Sequence, residues 1–373
     1  MHLKDISQEL RFLISVCSLS RLQVKHYMSE FDGLQRLDES MIFRLSQRHR
    51  VEPLVWAVLK EFDIFSDEVR SRFEIAFRQN QLKSLRAKAI ESQLRQILHR
   101  NNAKGLLLKG AGIAERYYDD IAERHVLDID LYVGREGLNQ MIFELQEIGY
   151  APVIDLHKFN DAQFDFFKST HHDIYFAPKT HDGLLPIELH WRIQSPWSDF
   201  EIKPFDGFNA EDEFLYLCVH GTEHGWFRLK WLMDMPRIIM KADFEWTVLW
   251  KRAIALNCKH HFCITLILMD ELCIFPIPVE LSGQIRKAKY RFQMRYIIGV
   301  LSSDGHFNDN DRNRWQYFRY LFSLSSKRFN FSFFRQFLTS PKDWQIVRIS
   351  ERWFFLYYLL RPFLWAYRRV VKS

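Results

Sequence analysis

The spacing of apolar residues divides the 373-residue chain into helical and strand-like stretches. From Ser7 to about Arg100, apolar residues recur every three or four positions, which is the spacing of an amphipathic helix. Between Gly105 and Trp191 they form short aliphatic runs separated by polar turns. From Ala210 the helical spacing returns and predicts helices through Met240, Phe244 to Leu256, His261 to Cys273 and Val279 to Leu301. This pattern predicts an α+β fold, with a small mixed sheet and flanking helices between helical N-terminal and C-terminal regions.

Four regions follow from these changes in pattern. We predict a helical N-terminal region over residues 1–102, a mixed core over 103–205, a helical domain over 206–301 and an aromatic-rich C-terminal region over 302–373. Residues 302–314 are polar and predict a loop.

Two carboxylates share one face of a predicted strand. In the run from Val126 to Val133, side chains alternate with period two, so Asp128 and Asp130 point to one side while the aliphatic residues between them point to a core. Like charges at such positions repel unless a cation lies between them. Because Mg²⁺ is bound by one or two carboxylates together with substrate phosphates, the pair suggests phosphoryl or nucleotidyl transfer.

A second run, from Leu184 to Trp191, has the same alternation. It places Glu188 and His190 on one face. If the two strands are neighbours, three carboxylates converge and two Mg²⁺ (or Mn²⁺) ions would complete the site. The alternative is that both strands turn an acidic side to water.

The aliphatic run that ends at Leu108 leads through Lys109 and Gly110 into a predicted helix containing Gly112. Free N–H groups at a helix start and small residues allow a phosphate to approach the backbone closely. A glycine between a strand and a helix also serves simple turn geometry, so both interpretations stay open. The GxxxxGK[ST] pattern of a P-loop is absent from this segment.

Taken in order, these motifs resemble those of an uncharacterised bacterial nucleotidyltransferase family with a polymerase-β-like core, whose members are often encoded among polysaccharide-assembly enzymes. The similarity extends from about Arg48 to about Ile239 and includes the predicted helix start at Arg50-Val51-Glu52-Pro53-Leu54. It rests on Leu107-Leu108-Lys109-Gly110, Arg124, Asp128-Ile129-Asp130-Leu131, Glu188-Leu189-His190-Trp191, His220-Gly221-Thr222-Glu223-His224-Gly225-Trp226 and Arg228-Leu229-Lys230-Trp231-Leu232-Met233-Asp234.

The resemblance implies roles for specific residues. Asp128, Asp130 and Glu188 would be the catalytic residues and would bind the two metal ions. The residues expected to bind nucleotide are Lys109, Gly110, Gly112, Arg124, Arg228 and Lys230, and further cleft candidates are His190, His220, His224 and Asp234. Lys109-Gly110 departs from the Gly-Ser or Gly-Gly of most of the superfamily, and Arg124 would either meet phosphate or anchor the acidic strand.

The reaction implied by the resemblance is transfer of a nucleoside monophosphate from an NTP to an acceptor hydroxyl, with release of pyrophosphate. A sugar phosphate or glycan precursor would be the acceptor. One alternative is a toxin-like nucleotidyltransferase that acts on tRNA, and another is a catalytically silent protein that binds nucleotide or glycan at the membrane surface.

A different reaction class is suggested by His220, Glu223 and His224, which match the HxxEH pattern of inverted zinc proteases. Gly221 weakens a helix at this position, and the carboxylates near Asp128 would be left without a role. A role in lining the nucleotide cleft, or in helix packing, is therefore favoured for this segment.

Composition and charge constrain the partners and the location. The net charge of +6 is modest and spread along the chain, so it supports nucleic-acid binding only weakly. Five scattered cysteines without a CxxC pair predict a reducing, cytoplasmic location.

The tail over 353–373 is rich in aromatic and aliphatic residues, ends in cations and contains Pro362, which we expect to break its helix. The tail would dock its apolar side on the protein or, as the alternative, contact the inner face of the membrane peripherally.

Overall fold

The structure is a computed structural model that describes residues 6–30, 37–180, 183–200, 202–203, 205, 208–303, 311–324 and 334–371. Most of the polar stretch predicted as a loop over 302–314 lies outside these residues, as do the last two residues of the tail. Within that stretch, the described helix begins at Asp311.

Helices make up most of the described chain. The helices with described bounds are α1 (Gln8–Ser18), α2 (Arg21–Glu30), α3 (Glu39–His49), α4 (Glu52–Leu59), α5 (Asp67–Arg100), α6 (Ala111–Tyr117), α7 (Leu138–Glu147), α8 (Asp161–Thr170), α9 (Ala210–Glu223), α10 (Leu229–Ala242), α11 (Trp246–Ala255), α12 (Lys259–Glu271), α13 (Arg291–Leu301), α14 (Asp311–Leu324), α15 (Pro341–Ile346) and α16 (Leu356–Val371). The strands are β1 (Leu106–Leu107), β2 (Ile129–Tyr132), β3 (Tyr150–Pro152), β4 (Asp173–Pro178) and β5 (Ile187–His190).

The five strands form one mixed sheet in the order β1-β2-β5-β4-β3. β2 and β5 are parallel, whereas the other neighbouring pairs are antiparallel. This arrangement confirms the predicted α+β class and the small mixed sheet. Among the described strands β5 comes last in sequence, yet it lies between β2 and β4.

The described residues group into two compact units that alternate along the sequence. The first consists of Met1–Ala89, Lys109–Leu127 and Phe200–Leu324. The second consists of Ile90–Leu108, Asp128–Asp199 and Ser325–Ser373 and contains the sheet. The four regions predicted along the sequence stay a prediction.

The core of the first unit is helical. α9 packs against α10 and α12, and Leu215, Leu232 and Leu266 of these helices are fully buried. α9 begins after Asn209, whose side chain accepts a hydrogen bond from the backbone N–H of Asp212. Three acidic residues in its first turn suit the positive end of the helix dipole.

Two local expectations from the sequence are wrong. Helical spacing predicts a continuous helix from Val279 to Leu301, but the structure has short 3₁₀ turns until α13 begins at Arg291. Pro362 does not break the terminal helix, because α16 continues through it. A proline removes one backbone donor and can be tolerated when contacts along the rest of the helix compensate.

Within the described residues, no helix is long and apolar enough to cross a membrane. α16 buries Tyr357 and Leu364 on the protein, whereas Leu359, Phe363 and Val370 are each more than half exposed. The choice between protein and membrane contact for the tail stays a prediction.

Candidate active site

The second unit carries a polar face on its sheet. β2 and β5 pair in parallel with Asp130 opposite Glu188, as the sequence pattern requires if the acidic residues are to converge. The alternating residues Ile129, Leu131 and Leu189 are buried on the other face. The sheet therefore holds the two carboxylates side by side because its apolar face fixes the register.

Asp130, Glu188 and His190 each offer a ligand atom, and these atoms all lie within 4.8 Å of one another. His190 Nε2 is 3.1 Å from Asp130 Oδ1 and 3.6 Å from Glu188 Oε2. Neighbouring ligands around an octahedral Mg²⁺, bound at about 2.1 Å, are about 3 Å apart, so this spacing fits a metal ion. The side chains of Asp130 and His190 are 3% exposed and that of Glu188 is 27% exposed, which leaves the glutamate end accessible.

The electrostatic field of this group favours a cation. Burial by itself lowers the pKa of His190, but its hydrogen bonds to Asp130 and Glu188 and the charge of Asp173 outweigh burial and raise the pKa to about 9. Without a metal ion these carboxylates therefore favour the protonated imidazole, and His190 would have to release that proton to bind a metal. Its Nδ1 atom is buried and has no hydrogen-bond partner among the described residues. Carboxylates that stabilise an imidazolium also attract a divalent cation, so the donor set suits a metal ion.

Asp128 lies immediately before β2 and is half-buried. It is not part of the compact donor group. Its charge nevertheless reaches Tyr175, whose pKa is raised first by burial and then by the charges of Asp128 and Glu188. Tyr175 is the cross-strand partner of Glu188 on β4, and sequence reasoning missed it. The metal-binding role predicted for Asp128 stays a prediction.

The first residue of β4 and the residue before it border the same group. Asp173 is the cross-strand partner of His190, and the ring of His172 is centred 5.7 Å from the ring of His190. β4 is therefore the neighbour of the strand that carries Glu188. Acidic and imidazole side chains thus extend across three strands on one face of the sheet.

In the first unit, Gly110 precedes α6 with φ 76° and ψ −138°, a conformation that glycine adopts without steric cost. Its carbonyl accepts a 3.1 Å hydrogen bond from Arg124 Nη1. Lys109 is half-buried, and Gly112 is buried within α6. The backbone at this turn therefore requires glycine at position 110, and nucleotide binding by the three residues stays a prediction.

Arg124 and Asp234 form a buried ion pair. Arg124 Nε and Nη2 donate to the two carboxylate oxygens at 2.8 and 2.9 Å, and the side chains are 2% and 0% exposed. Tyr118 donates its hydroxyl to the same carboxylate at 2.7 Å. The pair links the segment after α6 to α10. The carboxylate that Arg124 binds therefore belongs to a helix and not to the acidic strand β2.

A group of cations surrounds Glu52 and His125 in the first unit. Burial raises the pKa of Glu52 to about 7, although its own backbone N–H and the charges of Lys83, Arg50 and Lys230 oppose this. Burial, reinforced by Lys230, Lys83 and Arg50, lowers the pKa of His125 to about 3. Lys230 Nζ also donates to the carbonyl of His125 at 3.1 Å.

Arg228 belongs to the same positive group. Burial and the nearby charges of Arg50 and Arg48 lower its pKa to about 10. Like charges held this close favour an anion among them. Arg228 and Lys230 were predicted to bind nucleotide, whereas Arg50 and Lys83 were missed. The helix start at Arg50-Val51-Glu52 carries part of the family resemblance and was the available signal.

The segment from His220 to Trp226 contains the last turn of α9 and the three residues that follow it. A Cβ at Gly221 would lie 2.5 Å from ring atoms of Trp226, so only glycine lets this fully buried indole pack against the helix. The rings of His220 and His224 lie 5.1 and 5.4 Å from that of Trp231. Among the described residues, the group with metal-ligand spacing is Asp130, Glu188 and His190, so the zinc-protease alternative has no support from geometry.

Comparison with known proteins agrees with the chemistry of these groups. The model of a family described as uncharacterised nucleotidyltransferase matches residues 35–273, which is more than half of the chain and includes both acidic strands. The chain has no match among curated proteins or solved structures. This match shows that the chain belongs to the uncharacterised nucleotidyltransferase family.

Proposed function

We propose that this protein is a metal-dependent nucleotidyltransferase that moves a nucleoside monophosphate from an NTP to an acceptor hydroxyl and releases pyrophosphate. Family membership supports nucleotidyl transfer and an NTP donor. The observation that supports metal dependence is the donor group formed by Asp130, Glu188 and His190 on the polar face of the sheet. Mg²⁺ or Mn²⁺ would be the ion, with two ions bound in the complete site.

When bound, the metal would polarise the phosphate under attack and lower the pKa of the acceptor hydroxyl. Asp130 and His190 are buried and therefore hold fixed positions, while Glu188 presents its carboxylate at the accessible end. Asp128 adds a further negative charge that acts on Tyr175, the cross-strand partner of Glu188. The proposed second ion would use Asp128 together with these residues.

Phosphate binding is proposed for the positive group in the first unit. Arg228 and Lys230 have Arg50 and Lys83 close to them, which supports binding of an anion that carries several charges. The buried ion pair with Asp234 supports a positioning role for Arg124, because its guanidinium already donates to both oxygens of that carboxylate. Lys109 and Gly110 are proposed to contact phosphate through the turn before α6.

The proposed acceptor is a sugar phosphate or a glycan precursor. The experiment incubates the protein and Mg²⁺ with each labelled NTP and offers sugar phosphates, total RNA and proteins as acceptors in separate reactions. Label transfer to a sugar phosphate with pyrophosphate release supports the proposal, and transfer to RNA instead would identify the tRNA-directed alternative. Mg²⁺-dependent NTP binding without pyrophosphate release on any acceptor would indicate a silent binding protein.

Three variants connect the activity to the site. Asp130→Asn and Glu188→Gln should abolish transfer, because each removes a carboxylate ligand of the proposed metal ion. Glu147→Gln is the matched control, since Glu147 is an exposed glutamate on α7 of the same unit. Unchanged turnover in Asp130→Asn and Glu188→Gln would refute the assignment of the metal ligands.

A further inference from the structure

The C-terminal helix α16 turns its charged side toward the protein. Tyr357, Arg361, Leu364 and Arg368 follow one another at spacings of four, three and four residues, which places them on one side of the helix. Tyr357 is fully buried and Leu364 is 7% exposed. The inward side of the helix therefore carries two arginines.

A single buried carboxylate explains this orientation. Asp343 on α15 is 0% exposed, and it accepts a hydrogen bond from Arg361 and lies 3.2 Å from Arg368 Nη2. Tyr357 adds a 2.8 Å hydrogen bond from its hydroxyl to the carbonyl of Val347 and accepts another from Gln163. These polar contacts fix the rotation of α16 about its axis.

The opposite side of α16 is an apolar stripe. Leu359, Phe363, Tyr367 and Val370 lie at spacings of four, four and three residues and are 65%, 71%, 54% and 74% exposed. A helix on the surface of a soluble protein normally buries its apolar side and exposes its charges, so the arrangement here is reversed. Four side chains that expose roughly 100 Å² each form a patch of the size that marks an interaction surface.

The surroundings of the stripe are aromatic and positively charged. Trp353 and Phe355, just before α16, are about half exposed. Lys342, Arg348 and Arg352 are exposed on α15 and the turn that follows it. Over residues 334–371 the sequence has two acidic residues, and one of them, Asp343, is buried in ion pairs. The exposed charge next to the stripe is therefore predominantly positive.

We propose that the apolar stripe of α16 docks in the plane of an anionic membrane surface. Tryptophan, tyrosine and phenylalanine side chains are suited to the boundary between headgroups and acyl chains, and exposed lysine and arginine side chains attract anionic headgroups. The positive surroundings favour a lipid surface over a second copy of this chain, whose equally positive patch would repel the first. This inference does not depend on the proposed catalytic function.

The test is flotation of the full-length protein with vesicles of phosphatidylcholine, with and without phosphatidylglycerol. The protein should float with the anionic vesicles, and added salt should weaken that binding. The double variant Leu359→Ser and Phe363→Ser should reduce the bound fraction roughly tenfold or more, because it removes apolar area that the membrane would cover. Phe143→Ser is the matched control, since Phe143 is 57% exposed on α7 of the same unit.

A second pair of substitutions tests the charges. Arg348→Gln with Arg352→Gln should weaken binding to anionic vesicles and reduce its salt dependence. Absence of flotation with either vesicle type would overturn the proposal, as would equal losses in the stripe variant and in Phe143→Ser. Sedimentation that shows a dimer dissociated by the stripe variant, without vesicle binding, would instead assign the stripe to a second copy of the chain.

Discussion

Replacing Asp234 by asparagine tests whether the ion pair with Arg124 holds the fold or serves the substrate. The Arg124 side chain is 2% exposed and bonds both carboxylate oxygens, so the substitution leaves a buried guanidinium without its negative partner. Breaking a buried pair in this way costs about 3–5 kcal/mol, and the bonds that asparagine can still accept place the expected loss near the lower end. We therefore expect the free energy of unfolding to fall by about 3 kcal/mol.

Urea unfolding measures this loss, and Glu68→Gln provides the control. Glu68 pairs with Arg72 on α5, where the side chains are 74% and 48% exposed, so its removal should cost no more than about 0.5 kcal/mol. The double variant Arg124→Met and Asp234→Leu should recover stability relative to Asp234→Asn, because no charge stays buried alone. If Asp234→Asn unfolds like the wild type but binds NTP at least about tenfold more weakly, the carboxylate acts on the nucleotide and the structural reasoning is wrong.

Three further predictions concern single positions. Gly221→Ala should lower the free energy of unfolding by about 1–3 kcal/mol through a clash with Trp226, whereas Gly283→Ala, with open space around its Cβ, should change it by less than about 0.5 kcal/mol; thermal unfolding compares the two. Burial raises the folded-state pKa of Glu52 from its ordinary 4.5 to about 7, so the stability from its protonated form is present at low pH and is lost as pH rises through 7. Between pH 5.5 and 8 the wild type should therefore lose about 2 kcal/mol that Glu52→Gln does not lose, as urea unfolding at the two pH values would show. His190→Gln should weaken Co²⁺ binding about tenfold more than Mg²⁺ binding in calorimetric titrations, because imidazole is a better ligand for the transition metal; equal losses would exclude His190 as a ligand.

The acidic strands were predictable because their pattern is local. Alternation with period two placed Asp130 with Asp128 and Glu188 with His190 on shared faces. The pairing of β2 with β5 depended on the family resemblance, since no local pattern shows which strands are neighbours. His190 was expected on the face of Glu188, but its 3.1 Å contact with Asp130 depends on side-chain conformation that a periodicity cannot give.

Other features depend on contacts that are distant in sequence. Arg124 and Asp234 are 110 residues apart, and neither has a neighbouring sequence signal that would identify the other as its partner. The amphipathic pattern of α16 predicts a helix with two different sides, but the inward side is determined by Asp343. The helix predicted from apolar spacing over Val279 to Leu301 is wrong before Arg291, because apolar residues can have the same spacing in 3₁₀ turns that pack on a core.

The position of β5 has a consequence for synthesis of the chain. Of the five strands of this sheet, β5 is made last, and it lies between β2 and β4. Until it has left the ribosome, both of those strands have open edges that other chains can pair with, and Asp130 lacks the two ligand partners that β5 supplies. A nascent or truncated chain that ends before Ile187 is therefore expected to be both prone to aggregation and unable to bind metal.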